Sequence, residues 1–182
     1  GFSPASVFVD RKVSIPIAGQ APWTPRNFSG DYEGPMILKR ALSQSVNTVA
    51  AQLVERVGFA AAIDAARRCG IKSPLAAVPS VALGTSGVSP LDMASAFATL
   101  ATGGIRHDPF WVRRVEDSSG RVLEERIIST RRVLDATTTF QLVDMMRAVL
   151  DEGTGAVVRQ QGFQLPAAGK TGTTDDFNDA WF

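Results

Sequence analysis

Proline and glycine crowd the first 35 residues of this chain, and that crowding limits what can be built there. Pro16, Gly19, Pro22, Pro25, Gly30, Gly34 and Pro35 follow one another too closely for a helix or a long strand. The segment reads as ordered loop with short strands at most. From Met36 the spacing of apolar residues changes. Ile37, Leu38, Ala41 and Leu42 fit a short amphipathic helix, with Pro35 in its first turn. Val49, Leu53, Val54 and Val57 continue a helical stripe that ends at Gly58. Between the two stripes stands Ser43-Gln44-Ser45-Val46-Asn47-Thr48, a polar cluster that favours a break and a new N-cap.

The same punctuation organises the rest. Residues 59–69 are Ala-rich and helical, stopped by Gly70. Residues 90–102 form a helix opened by Pro90, with Met93, Phe97 and Leu100 on one face and Gly103-Gly104 behind it. Ser118-Ser119-Gly120 lies between Val112–Val115 and Val122-Leu123 as a hairpin turn. The longest helix covers 135–151, with Phe140, Leu142, Val143, Met146 and Val149 as its apolar set, and Gly153-Thr154-Gly155 ends it. Residues 166–172 and 178–182 flank Thr174-Asp175-Asp176-Phe177 as a second hairpin. Helices with late hairpins give an α+β class or a helix–sheet–helix sandwich. The uncharged run from Ser73 to Leu91 holds three prolines and two glycines, so it is no membrane helix.

Composition narrows the chemistry. The chain of 182 residues has one cysteine, Cys69, and one histidine, His107. An intrachain disulfide, an all-cysteine zinc site and a histidine-rich metal site are excluded, and a histidine-based triad has little to work with. Nineteen Lys and Arg against eighteen Asp and Glu leave a net charge of +1, which argues against a strongly electrostatic nucleic-acid binder. No metal and no cofactor is expected. Cys69 reads as a small packed residue and His107 as a solvated loop residue. Asp175 and Asp176 read as turn residues rather than metal ligands, and Arg67-Arg68, Arg113-Arg114 and Arg131-Arg132 as solvated faces.

What remains for function is hydroxyl, amide and lysine. Gly169-Lys170-Thr171-Gly172-Thr173-Thr174 carries two readings. A phosphate loop needs a glycine where Gln164 stands, and a helix where Asp175 and Asp176 signal a turn. The alternative is Lys-Thr-Gly on an edge strand. There Gly172 lets a substrate backbone approach, Lys170 supplies positive charge, Thr171 and Thr173 grip a carboxylate, and backbone N–H groups stabilise an oxyanion. Upstream, Ser45-Val46-Asn47 at a helix break can send a proton-relaying hydroxyl and an amide-binding carboxamide into one cleft. Its competing reading is a plain helix cap.

Four stretches, in this order, resemble the transpeptidase domain of class A, bifunctional penicillin-binding proteins. The first runs from Trp23-Thr24-Pro25-Arg26-Asn27-Phe28-Ser29-Gly30 through Pro35 into Ser45-Val46-Asn47. The second is Ala82 to Gly104, the third Glu152-Gly153-Thr154-Gly155, and the fourth Gly169 to Thr174, continuing through Asn178 to Phe182. The resemblance implies a β-lactamase/transpeptidase-like α+β fold, a central antiparallel sheet with helices on both faces. It implies a peptidoglycan D,D-transpeptidase or carboxypeptidase, joined in the parent protein to a glycosyltransferase. The partners implied are a stem peptide ending in D-Ala-D-Ala and β-lactams as inhibitors, at the periplasmic face of the bacterial inner membrane. Ser45 would relay the proton to the leaving amine, and Asn47 would bind the substrate amide. Lys170 would polarise Ser45 and attract the terminal carboxylate. Thr171 and Thr173 would bind that carboxylate, with the Thr173 N–H as half of an oxyanion hole.

The family's nucleophile sits in Ser-x-x-Lys, and no serine of this chain is followed by lysine three residues later. Gly1-Phe2-Ser3-Pro4 resembles the stretch just after that nucleophile. Residues 1–182 are therefore expected to be a partial transpeptidase domain, truncated at both ends. The nucleophile helix and any membrane anchor would lie upstream, and a last strand and helix downstream. The competing functions are a serine β-lactamase or β-lactam sensor of the same fold, and a non-catalytic scaffold that binds the cell wall.

Overall fold

The structure, a computed structural model, describes residues 1–173 and 180–181; Thr173, Ala180 and Trp181 are described by backbone alone. The order of elements is β1 (Val7–Asp10), β2 (Gly34–Ile37), α1 (Leu38–Ser43), α2 (Asn47–Val57), α3 (Phe59–Cys69), α4 (Pro90–Ala101), β3 (Ile105–His107), β4 (Arg114–Glu116), β5 (Val122–Glu125), β6 (Thr130–Arg132), α5 (Ala136–Asp151), α6 (Val157–Gln160), β7 (Gly172–Thr173) and β8 (Ala180–Trp181). A 3₁₀ turn covers Pro79–Leu83. The expected α+β class with antiparallel pairing is what the chain adopts. Among the described residues the strands pair two by two: β1 with β2, β3 with β6, β4 with β5 and β7 with β8. The turn expected at 174–177 lies outside the described residues.

The core that carries the cleft begins at β1. Its period-two alternation turns Phe8 and Asp10 inward and leaves Val7 and Val9 outside. Across the ladder Phe8 faces Met36. Leu38 and Ala41 of α1, Val46 of the following turn and Val49 of α2 join them in one buried cluster, against which Leu53 and Met145 pack. Met145 belongs to α5, whose last two turns bury Met146, Ala148, Val149 and Leu150. Lys39 of α1 donates to Asp144 of α5 at 2.7 Å, so the two helices are also tied at their rim. This half-exposed pair contributes little by itself; the buried apolar area holds the helices together.

Several local expectations are corrected. Pro35 lies on β2, opposite Val9, and not in a helical first turn. The alternation that buries Met36 between exposed neighbours extends the strand to Ile37, and the helix starts at Leu38, whose N–H donates to Ser6 O at 2.9 Å. The buried face of α4 is polar rather than the expected Met93 face: it consists of Asp92, Ser95 and Thr99. That face meets the end of α3, where polar partners are needed. Asp92 Oδ2 accepts from the N–H groups of Lys72 and Ser73 and from Ser73 Oγ, and Thr99 Oγ1 donates to Cys69 O. Gly70 permits the approach, since a Cβ there would lie 2.3 Å from Ser95 Oγ. Lastly, Phe140 is 73% exposed while Thr139 beside it is buried. The Thr139 hydroxyl bonds the Asp135 carbonyl within its own helix, so a threonine can point inward there.

His107 is exposed on β3 opposite Thr130 rather than in a loop. Cys69 is buried, and burial pushes its thiol pKa up. No helix among the described residues is long and apolar enough to cross a membrane.

Candidate functional site

Ser45 owes its position to the way α1 ends. The Val46 N–H donates to Ala41 O at 2.9 Å, and the Ser45 N–H donates to Leu42 O at 3.1 Å. That pair of bonds is a Schellman turn, with Val46 packed onto Ala41 as its hydrophobic closure. The turn requires a left-handed residue between them, and glycine is the usual occupant. Here it is Ser45, at φ 55°, the one non-glycine residue with positive φ among the described residues. The α2 N-cap that follows is Val46, without a side-chain hydrogen bond. The helix-cap reading of Ser45 and Asn47 is thereby removed. A serine held at a glycine position costs about 1 kcal/mol of backbone strain. Ser45→Gly is therefore expected to stabilise the fold by about that amount, read as a higher denaturant midpoint. A lower midpoint would show that the hydroxyl's bond matters more to the fold than the strain.

That hydroxyl receives a hydrogen bond from Lys170 Nζ at 2.7 Å, across 125 positions of sequence. A second Nζ–H bonds Thr171 O at 2.8 Å. An ammonium has three donors, so one remains. Lys170 forms no salt bridge among the described residues, and its pKa is lowered by burial. Among the described residues Lys170 is thus a part-buried amine with two hydrogen bonds and no carboxylate partner. Because Lys170 occupies a lone pair of Ser45 Oγ, the serine's own hydrogen is free to point into the cleft.

The strand beyond Lys170 begins at Gly172, which pairs with Trp181 while Thr173 pairs with Ala180. Among the described residues β8 is the one neighbour of β7. A Cβ at Gly172 would meet nothing within 4 Å, and its φ is not positive. The fold itself does not demand glycine there. The Thr171 hydroxyl lies 2.7 Å from that of Thr154. The Thr154 N–H in turn donates to Ser43 O at 3.0 Å. Gly153 makes this contact possible, because a Cβ there would fall 2.2 Å from Ser43 O.

Asn47 opens α2 and donates from Nδ2 to Arg26 O at 2.8 Å, which fixes the orientation of its amide. Beneath it lies a buried carboxylate. Asp10 accepts from Thr48 Oγ1 at 2.5 Å, from Asn27 Nδ2 at 2.8 Å and from the Glu33 N–H at 2.8 Å. Asn27 Oδ1 takes the Thr48 N–H at 3.2 Å. Burial works to raise the Asp10 pKa. The bonds from Thr48, Glu33 and Asn27 outweigh it and hold the carboxyl below its ordinary value. The network locks the first turn of α2, and Asn47 with it, to β1 and to the 24–33 loop.

The structure thus brings Lys170 onto Ser45 and Thr171 onto Thr154, with Asn47 two residues from Ser45 and Gly172 next to Thr171. The Thr173 hydroxyl and Asp175, Asp176 and Asp179 lie outside the described side chains. The phosphate-loop reading finds no support, since a strand and not a helix follows Lys170. Sequence reasoning assigned no role to Thr154, Asp10 or Asn27. The Glu152–Gly155 and Trp23–Gly30 stretches marked two of them as places of resemblance; nothing marked Asp10.

A family model described as the penicillin binding protein transpeptidase domain matches residues 12–180. The chain is 39% identical over 160 residues to penicillin-binding protein 1A of Aquifex aeolicus, covering 88% of this chain and 22% of that protein. It is 29% identical over 174 residues to penicillin-binding protein 1B of Haemophilus influenzae, covering 95% of this chain and again 22% of the relative. The crystal structure of penicillin-binding protein 1A from Haemophilus influenzae superposes with a TM-score of 0.89 at 25% identity, covering 96% of this chain and 32% of that one. The PonA1 protein of Mycobacterium tuberculosis in complex with penicillin V superposes with a TM-score of 0.77 at 25% identity, covering 98% and 50%.

Proposed function

The chain belongs to the family of penicillin-binding protein transpeptidase domains, and on that premise we propose that it supplies three walls of a peptidoglycan D,D-transpeptidase centre. The observation that carries the reading is the 2.7 Å bond from Lys170 to Ser45, made across 125 positions and serving no evident structural end. The substrate is a stem peptide ending in D-Ala-D-Ala, laid along β7. Its carboxylate faces Lys170 and Thr171, and its amide N–H faces Asn47 Oδ1. The nucleophilic serine of such a centre stands in Ser-x-x-Lys, a motif that residues 1–182 do not contain. Its Oγ attacks the carbonyl of the penultimate D-Ala, and the C–N bond to the last D-Ala breaks. The serine's proton reaches the leaving nitrogen through the Ser45 hydroxyl, which gives its own hydrogen as it accepts another. An amine of a neighbouring strand then takes the acyl group and releases its proton by the same route. A β-lactam carries both the amide and the carboxylate, so it acylates the same serine. The centre works at the periplasmic face of the inner membrane, in a protein that also carries a glycosyltransferase.

Two measurements test this. The codons upstream of Gly1 should encode Ser-x-x-Lys, and a fluorescent penicillin should label the complete protein once, at that serine, and stay bound. Residues 1–182 alone should remain unlabelled. Labelling at a serine within 1–182 would overturn the assignment, and rapid turnover of the penicillin would mark a β-lactamase instead.

A further inference from the structure

We propose that Thr154 is a positioning residue for the carboxylate end of the ligand; the inference rests on the transpeptidase reading of the cleft. Thr154 and Thr171 present two hydroxyls 2.7 Å apart, and either can be the donor. The choice between the two arrangements has consequences. If Thr171 donates to Thr154, its one hydrogen is spent, and it faces a carboxylate with lone pairs only. If Thr154 donates, Thr171 accepts that bond and keeps its hydrogen for the ligand. A carboxylate is acceptor-only, so its arrival selects the second arrangement. The chain of hydrogen bonds then runs from Thr154 Oγ1 to Thr171 Oγ1 to the carboxylate, each bond polarising the next.

Thr154 is suited to this because its backbone is fixed while its side chain is exposed. Its N–H is held by Ser43 O at 3.0 Å, and Gly153 packs onto that carbonyl. Gln44 Nε2 reaches across to Glu152 O at 2.9 Å, a third tie between the same segments. Ser43 is buried and stands two residues before Ser45. The hydroxyl that orients Thr171 is therefore anchored to the turn that carries the relay serine. Catalytic and carboxylate-binding sides of the cleft share one frame, and Thr154 itself is exposed.

The test compares Thr154→Val, which keeps the shape and removes the hydroxyl, with Thr154→Ser, which keeps the hydroxyl. Both are made in the complete protein, and acylation rate constants are measured with a penicillin and with its methyl ester. Thr154→Val should slow acylation by the free penicillin about ten-fold, the scale of one hydrogen bond to a charged group. It should leave the rate with the ester unchanged, and Thr154→Ser should restore the parent rate. A parent-like rate for Thr154→Val with the free penicillin overturns the inference, and so does an equal loss with both probes. If the unaltered protein reacts with neither probe, the transpeptidase reading itself is wrong, and this inference falls with it.

Discussion

Ser45→Ala slows penicillin acylation of the complete protein by roughly 10²–10⁴, the scale of a positioned proton-transfer group. Without the hydroxyl the leaving nitrogen has no donor at the end of the Lys170 bond, and the charge it develops goes unneutralised. On the proposed mechanism Lys170→Ala is as severe, because one amine bonds Ser45 and faces the carboxylate. Asn47→Ala is milder, since it removes a binding contact and not the relay. Rapid-mixing measurement of acyl-enzyme formation distinguishes the three. A folded Ser45→Ala protein that acylates at the parent rate would reduce Ser45 to an oddly strained turn residue.

The largest expected effect on stability lies at Asp10. Asp10→Ala should cost about 3 kcal/mol, since Thr48 Oγ1, Asn27 Nδ2 and the Glu33 N–H all lose their acceptor at a site 2% exposed. In a domain of this size that is a fall in Tm of roughly 6–12 °C. The pH dependence has a definite sign. Asp10 holds its proton less readily folded than unfolded, so its contribution is complete above the unfolded pKa of about 4 and fades as pH falls through the lower folded value. The variant should show a shallower loss of stability in acid than the parent. Equal acid slopes, or a midpoint within a degree or so of the parent, would show that the network around Asp10 is dispensable.

How far the sequence reached depended on whether a signal was local. Gly58 and Gly70 ended α2 and α3 where their positions said they would, because a helix stop is written in one or two residues. Ser45, Asn47 and Lys170 were legible through short motifs whose order matched a known family. The turn type at Ser45 was not legible: a polar cluster between helices favours a cap on general grounds, and only the bonds from Val46 and Ser45 back to α1 show that the preceding helix dictates the geometry. The inward faces of α4 and α5 misled for a related reason. Ser95 and Thr99 are buried because Gly70 and the end of α3 accept them, and neither partner is visible in the periodicity of the helix itself. Asp10 lay in an unremarkable strand, its three donors drawn from segments 17 to 38 positions away.

The bond between Lys170 and Ser45 also sets a timetable for the protein's birth on the ribosome. Synthesis runs from the N-terminus, so the turn bearing Ser45 emerges 125 residues before its partner. During that interval the Ser45 hydroxyl has no Lys170 to bond it, and Thr154 has no Thr171. The closing of so wide a loop comes after the local helices have formed. A nascent or half-folded chain therefore lacks the Lys170–Ser45 contact. That contact arises in one late step, when the segment carrying Lys170 is laid in place.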